Sequence, residues 1–144
     1  MPKVAIVTDS SPNIPDEIMK EQNINVVPLT IIWGEESLYD GVDITPVEFY
    51  QRLEKAKVMP STSQPSVADF EVLFRSLHND GYEILAVLLS EDLSGTISSA
   101  TQAKKLLPEA TIEIVNSKTL AMALGFCVMA AAKAAMIITI NILL

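Results

Sequence analysis

The hydrophobic positions of this chain fall into short apolar runs separated by amphipathic stretches. Leu85-Ala86-Val87-Leu88-Leu89 lies between His78-Asn79-Asp80-Gly81 and the hydroxyl-rich Ser90-Glu91-Asp92-Leu93-Ser94-Gly95-Thr96. A run of this length is too short for a free-standing helix and predicts a strand buried on both faces. Residues 3–8 predict a second such strand, followed directly by Asp9-Ser10-Ser11. Residues 24–33 are β-branched enough for a strand, although Pro28 removes one donor and argues for an edge or a bulge. Gly34-Glu35-Glu36 then turns the chain, residues 37–39 return as a short antiparallel strand, and residues 111–115 alternate as the last strand.

Between these runs the period changes to that of a helix. Pro15 opens one, with Asp16 and Glu17 placed favourably for the helix dipole, extending to about residue 23. Thr45-Pro46-Val47-Glu48 combines a hydroxyl cap, a proline at the first position and an acid three residues after the cap, predicting a helix over 46–56. Residues 61–66 form a hydroxyl-dense loop bracketed by Pro60 and Pro65, extended before each proline and therefore preset in shape. Ser66 caps the next helix, whose Phe70, Leu73, Phe74 and Leu77 face the core. Another helix runs over 96–107 and stops at Pro108, and the last begins near Thr119. The order β-α-β-(β)-α-α-β-α-β-α predicts an α/β fold: a mostly parallel sheet flanked by helices, with a short antiparallel hairpin.

Composition narrows the function. A length of 144 residues fits one domain with a real core. Eighteen acidic against ten basic residues give a net charge of −8, which repels phosphate backbones and argues against nucleic acid as a partner. Cys127 cannot pair within the chain and no secretion signal is evident, so a cytoplasmic location is expected. Hydrophobic residues make up 49%, concentrated toward the C-terminus, where Lys133 is the only charge in residues 120–144. That stretch exceeds the roughly 20 apolar residues a bilayer span requires. Its alanine content, Thr139, Asn141 and the lack of a flanking basic cluster favour a buried or partner-facing helix over a stable membrane span.

In open α/β sheets ligands bind beyond the carboxyl ends of the strands. Asp9-Ser10-Ser11, Ser90 with Ser94-Gly95-Thr96, and Asn116-Ser117-Lys118 fall there, with Ser61-Thr62-Ser63 folded over them. Hydroxyls together with helix N-terminal amides suit a carboxylate or phosphate. Each hydroxyl has a simpler reading as a helix cap, and convergence of several is what raises the set above that. Asp9 stands where some α/β enzymes keep a metal-binding or phosphoryl-accepting acid, but no second carboxylate cluster accompanies it at another strand end. His78 reads as a surface residue at a helix C-terminus and Cys127 as a small core residue. No metal-ligand spacing, nucleotide loop or nucleophile elbow is present, so no catalytic residue, metal or cofactor is expected.

Taken in order, Val4-Ala5-Ile6-Val7-Thr8-Asp9-Ser10-Ser11, Val26-Val27-Pro28-Leu29, Tyr39-Asp40-Gly41-Val42-Asp43-Ile44, Thr62-Ser63-Gln64-Pro65-Ser66, Leu93-Ser94-Gly95-Thr96 and Val115-Asn116-Ser117-Lys118 closely resemble the DegV family. Members of that family include the fatty-acid-binding subunits of bacterial fatty acid kinase. The resemblance implies an N-terminal lipid-binding domain over residues 1–133, taking a long-chain fatty acid with its carboxylate held by the hydroxyls of Thr62 and Ser94. Ser63, Gly95, Thr96, Ser10 and Ser117 are the expected supporting residues. It further implies a subunit that is not itself an enzyme and that presents the carboxylate to a separate ATP-binding kinase subunit, which forms the acyl phosphate.

Residues 134–144 depart from the family pattern as an apolar tail, and the second domain expected to close the lipid tunnel is missing from this sequence. The tail is expected to cover an apolar face in its own chain or to drive self-association. Two alternatives stand beside the lipid-binding reading: a truncated or remnant interaction domain that holds no ligand, and a hydrolase or phosphotransferase using Asp9.

Overall fold

The computed structural model describes the backbone over residues 3–143 and side chains as far as Ile138. In chain order the elements are β1 (Lys3–Asp9), α1 (Asp16–Glu21), β2 (Ile24–Val27), β3 (Thr30–Trp33), β4 (Glu36–Tyr39), α2 (Pro46–Leu53), β5 (Ser61–Ser63), α3 (Val67–Asn79), β6 (Tyr82–Leu88), α4 (Thr96–Lys105), β7 (Ile112–Asn116) and α5 (Ala121–Leu143).

Strands β2-β1-β6-β7 form one sheet, parallel throughout. Successive side chains of a strand point to opposite faces, so each central strand feeds two cores. Ala5, Val7, Ile84, Ala86 and Leu88 meet Phe70, Phe74 and Leu77 of α3 and Ala100 and Ala103 of α4 on one face. Ile6, Val87 and Leu89 meet Leu124, Val128, Ala132 and Ala135 of α5 on the other, with Ile18 and Met19 of α1 packed alongside. This gives three layers, with the strand ends pointing at the loops after β1, β6 and β7.

A second sheet, ordered β4-β3-β5, is antiparallel and covered by α2. Its small core is Ile31, Trp33 and Ile44 with Leu38, Phe49, Leu53 and Ala56. Trp33 packs 5.3 Å from Phe49, carries the Arg52 guanidinium 4.3 Å above its ring and donates from Nε1 to the Val58 carbonyl at 2.9 Å. Both expected caps are capping boxes, Thr45 with Glu48 and Ser66 with Asp69.

Several expectations are corrected. The single strand over 24–33 is two strands in two different sheets. Pro28 has no N–H, and the Leu29 N–H is taken by the Ser10 hydroxyl at 3.0 Å, so the ladder is interrupted at adjacent residues and the chain changes sheet. Residues 61–63 are not loop but β5, paired with β3. Helix α2 ends at Leu53, where Lys55 and Ala56 N–H groups bond three residues back instead of four. Helix α1 stops at Glu21 because Asn23 takes a φ of 50°.

Cys127 is exposed and not a core residue. Leu124, Val128, Ala132 and Ala135 are the stripe that α5 buries, and Cys127 stands about 100° round the helix from Val128. By length and composition α5 is apolar enough to cross a membrane: residues Ala121–Ile138 average a hydropathy of 2.0, and 28% of that window is buried. In the fold this helix is the cover of one sheet face. Gly125 lets it approach the β1–α1 loop, since a Cβ there would stand 2.9 Å from the Pro12 carbonyl oxygen. The self-association expected of the tail rests largely on side chains past Ile138, outside the described residues.

Candidate functional site

The loop after β6 is shaped by its own backbone. Leu93 and Ser94 N–H groups both donate to the Ser90 carbonyl, at 3.0 and 3.2 Å, which coils residues 90–94 and delivers Ser94 to the start of α4. The Ser94 hydroxyl accepts from the Thr96 N–H at 3.3 Å and lies 2.9 Å from the Thr96 hydroxyl. Thr96 is fully buried, whereas Ser94 is half-buried. A buried hydroxyl keeps its hydrogen bonded, and Ser94 is the partner within reach of Thr96. Either hydroxyl can donate in this pair; when Thr96 does, Ser94 keeps its own O–H to give to an acceptor at the surface.

The hydroxyl-dense segment is fixed from three sides. β5 pairs with β3 through Thr62 opposite Ile31 and Ser63 opposite Thr30. Ser66 and Asp69 close the capping box at the start of α3. The Tyr39 phenol donates to Asp69 at 3.3 Å, and the Asp69 charge holds its pKa above the ordinary 10.0, so it remains a neutral donor. The segment approaches the Ser94 turn at Gln64. A Cβ on Gly95 would lie 3.0 Å from Gln64 Nε2 and 3.1 Å from Gln64 Cδ. The Thr62-Ser63-Gln64 segment and the Ser94-Gly95-Thr96 turn are thus in contact, with Thr62 exposed on its strand.

Ser10 and Ser117 lie elsewhere along the rim. The Ser10 hydroxyl donates to Asp40 at 2.7 Å and accepts from the Leu29 N–H, which binds the second sheet to the first. Ser117 forms a local turn, its hydroxyl donating to the Thr119 carbonyl at 3.3 Å and accepting from the Thr119 N–H at 3.3 Å. The Thr119 carbonyl in turn accepts from the Ser90 N–H at 2.9 Å, so the loops after β6 and β7 are joined. His78 sits half-buried in the last turn of α3.

Asp9 is fully buried and both its oxygens are engaged. Oδ1 accepts from the Ser11 N–H at 2.9 Å and the Ser11 hydroxyl at 2.5 Å, and Oδ2 accepts from the Leu89 N–H at 2.9 Å. It is a knot between the ends of β1 and β6, with no lone pair turned to solvent for chemistry. Among the described residues no group of His, Cys, Asp and Glu could hold a metal ion.

A groove of about 1010 Å³ opens at the other end of the sheet, between the starts of β1 and β2, α1 and the later half of α5. Lys3, Met19, Ile24, Tyr82, Ala132 and Met136 line it; neither Thr62 nor Ser94 does. The strand-end loops are legible in the sequence, but the approach of Gln64 to Gly95 is not, because it joins segments far apart in the chain.

Comparison with known proteins follows the same outline. A family model described as "Uncharacterised protein, DegV family" matches residues 3–137. A DegV domain-containing protein of Caldanaerobacter subterraneus is 39% identical over 135 residues, covering 94% of this chain and 48% of that protein. The crystal structure of a stearic acid-binding protein from Eubacterium ventriosum superposes with a TM-score of 0.86 at 32% identity, over 92% of this chain and 47% of that one. DegV of Bacillus subtilis, solved as a fatty acid binding protein, gives 0.84 at 29% identity, over 92% and 47%. The chain spans about half the length of the curated relatives it matches. By its sequence from residue 3 to 137 and by its fold, this chain belongs to the DegV family.

Proposed function

We propose that this domain holds the carboxylate of a long-chain fatty acid at the rim formed by the Thr62 segment and the Ser94 turn, and presents it to a separate ATP-using kinase subunit. The observation that carries the reading is the contact between those two segments in a fold shared with proteins solved as fatty acid binders. The Ser94 hydroxyl has an O–H to donate, Thr62 is exposed, and Thr96, Gly95 and Ser63 shape the rim around them. In this reading residues 1–133 are the lipid-binding domain and residues 134–144 an apolar tail that promotes self-association. The acyl chain runs between this domain and a second one. The protein works in the cytoplasm, carries no cofactor and catalyses nothing alone.

The test is binding of a labelled C16 fatty acid to the 144-residue chain. Ser94→Ala removes one charge-assisted contact and should weaken binding by about 1–3 kcal/mol, roughly 5–150-fold, with the fold intact. Thr62→Ala should act alike. Undiminished affinity in both variants refutes the assignment. A second reading, an interaction domain that holds no ligand, is favoured by the groove of about 1010 Å³ lying away from Ser94. Native mass spectrometry of the purified chain separates the two: co-purifying fatty acid supports the first, an empty chain the second.

A further inference from the structure

Gly95 has a φ of −74° and a ψ of 7°, a backbone conformation open to any residue, so conformational freedom does not account for a glycine there. Space does. A Cβ at Gly95 would stand 3.0 Å from Gln64 Nε2, 3.1 Å from Cδ and 3.5 Å from Cγ, so the amide end of Gln64 lies against bare backbone at the N-terminus of α4. Gln64 precedes the buried Pro65, which holds its backbone extended and fixes the direction from which the side chain arrives. It is an exposed residue, and among the described residues no protein hydrogen bond to its side-chain amide accompanies this contact. The Gln64 amide thus rests beside the Ser94 turn with its two N–H donors open to an acceptor from outside the chain.

We propose that Gln64 is a third polar contact to the ligand headgroup, an uncharged donor laid over Gly95 beside the Ser94 hydroxyl; this rests on the fatty-acid reading above. The amide supplies two N–H donors with no negative charge, and the positive end of the α4 dipole lies beneath it. An anionic headgroup gains from both. An uncharged headgroup gains little, so Gln64 sets a preference for a carboxylate over an alcohol of equal chain length.

The experiment compares a labelled C16 fatty acid and the matching C16 alcohol on wild type, Gln64→Ala, Gln64→Glu, Gly95→Ala and the Gly95→Ala/Gln64→Ala double variant, with thermal melting as the check on folding. Gln64→Ala should weaken acid binding about 3–10-fold and alcohol binding less than about 2-fold. Gln64→Glu sets like charge beside the carboxylate and should weaken the acid by more than about 10-fold. Gly95→Ala pushes the amide aside by only a few tenths of an ångström, so it should weaken acid binding less than Gln64→Ala and add nothing in the double variant. If wild type binds while both Gln64 variants stay within about 2-fold of it, the role of Gln64 is refuted and the fatty-acid reading stands. Equal loss from Gly95→Ala with and without Gln64 also refutes it. A wild-type chain that holds neither acid nor alcohol overturns the fatty-acid reading and this role together.

Discussion

Asp9→Asn changes one atom of a fully buried side chain and separates a structural acid from a chemical one. Three donors converge on Asp9: the Ser11 N–H and hydroxyl on Oδ1, and the Leu89 N–H on Oδ2. An asparagine must turn its amide nitrogen toward one side. Facing Leu89, it opposes one N–H to another and leaves a buried donor unpaired. Facing Ser11, it opposes that N–H instead, although the hydroxyl can rotate to accept. The first arrangement loses one bond, and a hydrogen bond to a carboxylate is worth about 1.5–3 kcal/mol, with about 1–3 kcal/mol for the orphaned donor. Allowing for relaxation, we expect a loss of about 2–4 kcal/mol, a large share of the 5–15 kcal/mol typical of a domain. In urea the midpoint should fall by roughly 1–2 M at unchanged slope. A midpoint that does not move would refute the knot between β1 and β6, and unaltered stability with lost fatty acid binding would return Asp9 to the site.

Other expectations follow from single contacts. Gly125→Ala gains up to about 1 kcal/mol of helix propensity but drives a Cβ to 2.9 Å from the Pro12 carbonyl oxygen, a clash with backbone costing about 1–3 kcal/mol, so a net loss in urea unfolding is expected; a more stable variant would show the loop yields. The backbone and hydroxyl of Thr45 hold the Glu48 carboxyl below its ordinary 4.5. The folded state therefore binds that proton less tightly than the unfolded state, and the stabilisation present above pH 4.5 is lost as pH falls through the lower folded value. Glu48→Gln should flatten that part of the stability profile, and an unchanged acid limb would refute the cap's part in it. Cys127, exposed on α5, should react with a disulfide reagent in the native state at a rate near that of the unfolded chain; strong protection would place another surface over it.

The parallel sheet, its flanking helices and both helix caps are legible because each rests on local pattern: apolar runs ended by hydroxyls, Thr45 three residues before an acid, and Ser66 at the head of a helical period. What escaped was set by contacts between distant segments. Pro28 was visible as a break, but its reading as a bulge or a change of sheet was decided by the Ser10 hydroxyl claiming Leu29. Ser61–Ser63 carry no apolar residue, and their pairing with β3 alone makes them a strand. A helix apolar on all sides cannot be phased from its sequence, so nothing in the sequence marks Cys127 as facing outward. The strand-end rule points to Ser94 and Thr96 from sequence, whereas the approach of Gln64 to Gly95 leaves no mark in either segment alone.

Thr62 and Ser94 ride on different sheets, one anchored to β3 and the other to the end of β6. The Ser10 hydroxyl, gripping Asp40 and Leu29, is one fastening between those two bodies. How the two sheets sit against one another is therefore a mechanical variable, and a substitution at Asp40 that releases Ser10 can shift the Thr62 strand relative to the Ser94 turn while both alcohols stay unchanged.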